Sequence, residues 1–320
     1  MILAGIMAAS IPASFSAPIT VPEPGGDTVD LWPGGTPGAD RVAVREEFIE
    51  RLPEGPLRDR FAQHVTRPNL TLFAPQGAWN GVTLLIVPGG GYVRVVIDKE
   101  GFESAEWFAS RGFAAAVLRY RMPADGWPDG ADAPVHDAQR ALRLLRQRAW
   151  PTSAPARRIG LVGFSAGGHV CGRLITEPAL RYPEHDAADR LSGMPDFAVL
   201  VYPVIATTGD AAHAGSARQL RLAGVPQTDL ARYSPHLNVG ASTPPTMLIH
   251  AADDAGVPVE NSLMMHRALL ARGIRSELHV FDRGGHGFGL RGVTGRNAAA
   301  WPTLVQNWAL EDDLEDGQHR

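Results

Sequence analysis

The most immediate chemistry in this 320-residue chain is offered by a serine set between glycines, Gly163-Phe164-Ser165-Ala166-Gly167. A G-x-S-x-G spacing places a hydroxyl on a sharp turn between a strand and a helix, where close backbone contacts call for glycine. The pattern alone decides little, since a chain with 35 Gly yields about 0.16 such matches by chance. Its context decides more: Arg158 to Val162 (RIGLV) reads as a buried strand and His169 to Thr176 as the helix that should follow. A serine hydroxyl is a weak nucleophile at neutral pH, so the reading requires a histidine base and a carboxylate to orient it.

For a nucleophile on such a turn the partners follow in the chain order serine, acid, histidine. Among the histidines beyond residue 253, His266 falls in a helical pattern, His279 in a strand and His319 in the tail. His286 stands in Gly284-Gly285-His286-Gly287-Phe288-Gly289, after the last strand-like run, where glycines let a loop carry an imidazole over the sheet. It is the candidate base. The acid is Asp253 or Asp254, which both follow the strand-like Thr246 to His250, at the edge where such sheets gather catalytic groups. The run Val87-Pro88-Gly89-Gly90-Gly91-Tyr92 offers the amides of Gly90 and Gly91, with that of Ala166, as an oxyanion hole. A phosphate-binding loop is the alternative for these glycines, but no G-x-G-x-x-G or G-x-x-x-x-G-K pattern can be assembled around them. Tyr92, His169 and Tyr202 are weaker candidates for substrate contacts, with plain packing as the alternative. His213 and Trp127 are further candidates to line a pocket.

These residues need a scaffold, and the apolar pattern supplies one. Strand-like runs at Leu70 to Ala74, Val82 to Val87, Phe113 to Leu118, Ile159 to Gly163, Phe197 to Tyr202, Thr246 to His250 and Glu277 to Phe281 alternate with helical spacing. The helices are expected over Glu100 to Arg111, Val135 to Arg148, Gly167 to Thr176 and Val259 to Arg272. This rhythm predicts an α/β fold with a mostly parallel sheet and helices on both faces. Two stretches interrupt it, Glu177 to Asp196 and Ile205 to Thr243, and both are expected to form a lid or substrate wall; the second holds a helical piece at Ala217 to Leu222. Asp137, near the start of a helix, complements the helix dipole and takes no catalytic role.

The chain divides into residues 1–17, an N-terminal arm with the first strands at 18–80, a catalytic domain at 81–310 and an acidic tail at 311–320 that reads as solvated. Residues 18–40 are dense in Pro and Gly and suit an irregular arm along the domain edge. Met1 to Ala17 is apolar and rich in small residues, which suits a signal peptide and export to the periplasm or beyond, although no basic residue precedes the apolar run; a cytoplasmic protein is the alternative. Pro12 and several Ser interrupt that run, so stable membrane insertion is not expected. A net charge of −4 with scattered arginines argues against nucleic acid as a partner. The lone Cys171 excludes an internal disulfide and a cysteine-based zinc site, and reads as a buried thiol.

Three motifs together, PGGGY at 88–92, GFSAGGH at 163–169 and GGHGFG at 284–289, resemble the α/β-hydrolase superfamily. Within it the chain is similar to the carbohydrate-esterase-like group, which includes acetyl xylan esterases and is akin to dienelactone hydrolases and the catalytic domains of prolyl oligopeptidases. Asp98-Lys99-Glu100-Gly101, Asp137-Ala138-Gln139-Arg140, Tyr202-Pro203-Val204-Ile205 and His250-Ala251-Ala252-Asp253-Asp254 extend the likeness over most of residues 80–290. The resemblance implies an α/β-hydrolase fold with a small lid insertion. It favours Asp254 as the acid, since Asp254 to Pro258 resembles the D-x-x-V-P turn that carries it in many of these hydrolases. Asp253 is then left to hydrogen-bond its loop. Pro88 departs from the HGGG-type oxyanion loop by replacing its histidine. The activity implied is cleavage of carboxylic esters, small or on a polysaccharide, through an acyl-enzyme that needs no metal or organic cofactor. A prolyl-oligopeptidase-like peptidase and a non-catalytic binding module on the same fold are the alternatives.

Overall fold

The computed structural model describes residues 27–147, 154–179 and 182–317, with side chains through 311. The candidate signal peptide and Arg148, the expected end of one helix, lie outside the described residues. In chain order the strands are β1 (Thr28–Asp30), β2 (Glu47–Glu50), β3 (Arg60–Gln63), β4 (Asn69–Phe73), β5 (Val82–Val87), β6 (Val95–Val96), β7 (Ala114–Arg119), β8 (Arg158–Phe164), β9 (Phe197–Val201), β10 (Thr246–Ala251) and β11 (Ser276–Phe281). The helices are α1 (Glu103–Ala109), α2 (Ala133–Gln147), α3 (Ser165–Thr176), α4 (Ala214–Leu222), α5 (Glu260–Ala271) and α6 (Trp301–Gly317).

The main sheet has eight strands in the order β1-β4-β7-β5-β8-β9-β10-β11. From β7 to β11 every pairing is parallel, while β4 runs antiparallel to both β1 and β7. Strands β5, β9 and β10 are buried along their whole length, as continuous apolar runs in a parallel sheet should be. Strand β11, at the edge, is only half-buried. The faces can be read from β8: a Cβ on Gly163 would touch the Cys171 thiol of α3, whereas the neighbouring Phe164 meets Trp301 of α6 at 5.7 Å between ring centroids. Successive strand residues point to opposite faces, so α3 and α6 cover opposite sides. Cys171 is a buried thiol whose proton is held more tightly because of that burial.

Register then places the chemistry. Val87 pairs with Gly163, Phe164 with Val201, Val201 is level with Ile249 across β10, and Ala251 pairs with Phe281. The segments that leave β5, β8, β9, β10 and β11 therefore emerge side by side at one C-terminal edge.

Several expectations need correction. The arm contains β1, and its Leu31 and Trp32 are buried, so it is bound to the sheet and not merely irregular. A second, three-stranded sheet, β2-β3-β6, was not foreseen; the buried ion pair between Arg60 and Asp98 (2.8 Å) ties it to the segment before α1. The acidic tail does not stand apart, because α6 continues through it to Gly317. Of the two insertions, 205–243 reaches the C-terminal edge, but 177–196 connects the end of α3 to the start of β9, at the other edge. There Arg140 of α2 holds it through Asp186 and Asp189, so it cannot be a lid.

Asp137 lies one turn into α2, buried, and serves as a charge partner in place of a dipole cap. Its carboxylate accepts the Trp32 indole N–H at 3.0 Å and the Arg121 backbone N–H at 2.9 Å, and pairs with the buried Arg121 guanidinium at 2.9 Å. It joins the arm, the end of β7 and α2. Breaking a buried pair leaves a desolvated charge behind, so Asp137→Ala is expected to lower the unfolding free energy by about 3 kcal/mol. Urea denaturation at pH 7 checks this through the midpoint at unchanged slope.

Candidate active site

Strand β8 ends at Phe164 and α3 begins at Ser165, so the serine must itself turn the chain. It does so with φ 51°, a left-handed conformation costing a non-glycine residue on the order of 1–3 kcal/mol. A Cβ on Gly167 would lie 2.2 Å from the Val87 carbonyl oxygen and 2.4 Å from that of Pro88. Glycine at this position lets the first turn of α3 close against the end of β5.

Ser165 Oγ lies 2.8 Å from His286 Nε2, and His286 Nδ1 lies 2.8 Å from Asp254 Oδ2. An ionised carboxylate only accepts, so Nδ1 carries the proton and Nε2 presents its lone pair to the serine hydroxyl. Burial opposes ionisation of Asp254, yet hydrogen bonds from His250, His286 and the Val257 amide outweigh it and hold the carboxyl well below the usual range. The amides of Gly256 and Val257 fill Oδ1 at 2.9 and 2.8 Å. Asp253 faces the other way: its Oδ1 accepts the N–H groups of Gly284 (2.8 Å) and Gly285 (2.7 Å), which pins the loop bearing His286. His250, not singled out from sequence, completes the acid's surroundings. Its Nε2 donates to the Val257 carbonyl at 2.9 Å and stands 3.4 Å from Asp254 Oδ2.

The glycine loop after β5 is held from below by a residue that sequence reasoning noted only as part of a motif. Glu100, in a wide π-helical turn (Ile97–Phe102) before α1, accepts the Gly89 N–H at 2.7 Å and the Tyr202 hydroxyl at 3.1 Å. That hydroxyl in turn accepts the Gly289 N–H at 3.1 Å. One buried carboxyl, its pKa pushed up by desolvation, thus links the glycine loop to the histidine loop. Gly90 adopts φ 134°, and a Cβ there would sit 2.1 Å from the Arg94 carbonyl oxygen. Among the described residues neither Gly90 nor Gly91 N–H has an acceptor within the protein. Ala166 lies in the first turn of α3, where amides lack intrahelical partners.

Ser165, His286, Gly90 and Gly91 open on a cleft of about 490 Å³ whose far wall is the start of α4, with His213, Gly215, Arg218 and Gln219. His213 Nδ1 accepts the Ser216 amide at 3.1 Å, so the neutral ring carries its proton on Nε2. Trp127 lies elsewhere, beneath the Arg121 guanidinium at 5.0 Å. Among the described residues no cluster of His, Cys, Asp or Glu is arranged to hold a metal ion, and no helix is long and apolar enough to cross a membrane.

The weaker candidates for substrate contacts must be corrected. Tyr92, His169 and Tyr202 are buried and do not line the cleft, because their polar atoms are used inside the protein. Tyr92 donates its hydroxyl to His169 Nδ1 at 2.7 Å, and His169 Nε2 donates to the Tyr233 carbonyl at 2.8 Å. They position the loop and the 205–243 insertion. Burial, aided by the nearby Arg173, pushes the His169 imidazole down to about 3, below an unfolded value of about 6.5. The unfolded chain therefore binds the extra proton between these values. Stability held by neutral His169 is complete above pH of about 6.5 and is lost on acidification towards about 3, by up to about 1.4 kcal/mol per pH unit. Unfolding measured from pH 7 to 4 should fall less steeply in His169→Gln than in the wild type.

Comparison with known proteins gives two family matches, the Prolyl oligopeptidase family over residues 196–312 and BD-FAE over 70–177. The chain is 35% identical over 221 residues to endo-1,4-beta-xylanase B of Butyrivibrio fibrisolvens, covering 69% of this chain and 34% of that protein. It is 29% identical over 233 residues to an acetylxylan esterase of Xylanibacter ruminicola, covering 70% and 44%. The chain thus spans less than half the length of either curated relative. A crystal structure of an acetyl ester-xyloside bifunctional hydrolase from Caldicellulosiruptor lactoaceticus superposes with a TM-score of 0.68 at 31% identity, covering 89% of this chain and 95% of that one.

Proposed function

This chain belongs to the α/β-hydrolase superfamily, in its carbohydrate-esterase-like group, and on that premise we propose that it cleaves carboxylic esters through an acyl-enzyme on Ser165. The observation that carries the reading is the unbroken hydrogen-bond chain from Ser165 through His286 to Asp254, at 2.8 Å for each link. Ser165 Oγ attacks the ester carbonyl as His286 Nε2 takes its proton, and Asp254 stabilises the imidazolium that results. The amides of Gly90, Gly91 and Ala166 receive the negative charge on the former carbonyl oxygen. His286 passes its proton to the departing alkoxide, leaving the acyl group on Ser165. Water, deprotonated by the same imidazole, then releases the acid and restores the serine.

A short acyl group on a sugar is the substrate that the acetylxylan esterase and the acetyl ester-xyloside hydrolase support. The xylanase and xyloside names of two relatives raise glycoside hydrolysis as a second reading. That chemistry needs two carboxyl groups flanking the bond. Among the described residues Glu100 is the only carboxylate lining the cleft, and both of its oxygens already accept hydrogen bonds.

Turnover of 4-nitrophenyl acetate is expected to fall by about 10⁴-fold or more in Ser165→Ala and His286→Ala, and by about 10³-fold or more in Asp254→Asn. A fluorophosphonate probe should label the wild type and leave Ser165→Ala unlabelled. Full activity in either the serine or the histidine variant overturns the assignment, and a folded wild type that resists the probe favours a binding module.

A further inference from the structure

The chain carries a net charge of −4, yet the cleft beside Ser165 has the opposite sign. Among the described residues, Arg51, Arg94, Lys99 and Arg218 line it with positive charge, against the single carboxylate of Glu100. Glu100 offers little to a cation: it is buried, desolvation favours its neutral form, and its oxygens accept from Gly89 and Tyr202. Arg51 is neutralised by Asp59 at 2.5 Å, a carboxylate shared with Arg291. The other three differ. Among the described residues none of Arg94, Lys99 and Arg218 has a carboxylate within ion-pair distance. Arg94 places its guanidinium carbon 4.9 Å from the centre of the Phe61 ring, and a guanidinium stacked on a ring still has N–H groups to donate. Arg218 stands on the exposed side of α4 and Lys99 on the turn before α1. The three thus approach the cleft from separate segments of the chain. The remaining titratable groups at the cleft, His213 and His286, add no negative charge.

We propose that the ester cleaved at Ser165 carries a carboxylate near its scissile bond, held by Arg94, Lys99 and Arg218. This rests on the ester-hydrolase reading above and narrows it. A cleft walled by one sign of charge concentrates ligands of the other sign, by about tenfold to a thousandfold. An arginine edge also matches a carboxylate with two parallel hydrogen bonds. The carboxylate has two possible sources, the alcohol side or the acyl side of the ester.

The test compares kcat/KM within two substrate pairs that differ by one charge. 4-Acetoxybenzoate against its methyl ester places the charge on the alcohol side; 4-nitrophenyl monoadipate against its methyl ester places it on the acyl side. At low salt the wild type is expected to prefer the anionic member of at least one pair by about tenfold or more, and the pair that responds identifies the side. The preference should shrink towards parity in 0.5 M NaCl through screening. It should shrink also in Arg218→Gln, and further when Arg94→Gln and Lys99→Gln are added. Parity in both pairs at low salt overturns the proposal, as does a preference that the combined variant keeps in full. Calorimetry of the same esters on Ser165→Ala reads binding without turnover. Tighter binding of an anionic member supports the proposal even if the wild type hydrolyses none of the esters, an outcome that counts against the hydrolase reading alone. Equal binding of both members overturns it.

Discussion

The first turn of α3 and the end of β5 are in backbone contact, with Gly167 packed so closely on the Val87 and Pro88 carbonyls that no side chain fits between them. The rest of the cleft is arranged around that approach. It brings the turn bearing Ser165 together with the loop of Gly89, Gly90 and Gly91. In the acyl transfer proposed for Ser165, rate acceleration depends on donors that are already in place when charge develops. The sheet register, which sets Val87 opposite Gly163, is what makes the approach possible.

Beneath this contact lies a polar layer that uses few residues. Glu100 joins Gly89 to Tyr202, and Tyr202 joins Glu100 to Gly289; Asp253 holds Gly284 and Gly285. The flexible glycines that bracket His286 are thus fixed at three of their amides. This resolves a tension in the motif, since glycine permits the loop geometry but gives it no rigidity. The adjacent aspartates divide the work by direction alone: Asp254 turns inward to the imidazole and Asp253 outward to the loop that carries it.

Much of this was legible in the sequence where one physical cause dominates. The buried parallel strands, as at Val82–Val87, are continuous apolar runs and were placed within a residue or so of their ends. The order of Ser165, Asp254 and His286 could be read because each follows a strand-like run, although the one before His286, β11, is only half-buried. Weaker signals failed. Strand β2 is four residues long and carries a Glu at each end, so its own pattern does not mark it and it depends on pairing with β3, which pairs in turn with β6. In α6, Trp301, Val305, Trp308 and Ala309 are all buried at helical spacing, but Pro302 and the acidic run masked the pattern. Proline is tolerated in a first helical turn, and here it occupies one. The division of roles between Glu100 and its partners was illegible because it links residues up to 102 positions apart.

The misread aromatics follow from the backbone. Among the described residues, the non-glycine positions with left-handed φ are His64, Tyr92, Ser165 and Tyr202. All but His64 stand at the C-terminal edge of the sheet, immediately after the glycine loop, β8 and β9. Such conformations persist only where surrounding contacts hold them, and each of the three is held. Tyr92 is anchored through its hydroxyl to His169. The Ser165 carbonyl accepts the Val204 amide at 3.0 Å. Tyr202 is tied by its own N–H to the Ile249 carbonyl at 2.6 Å and by its hydroxyl to Glu100. An aromatic residue that must anchor a strained turn has to be buried and satisfied within the protein. Its hydroxyl is therefore committed within the protein, whereas among the described residues Arg94, Lys99 and Arg218 line the cleft without a carboxylate partner.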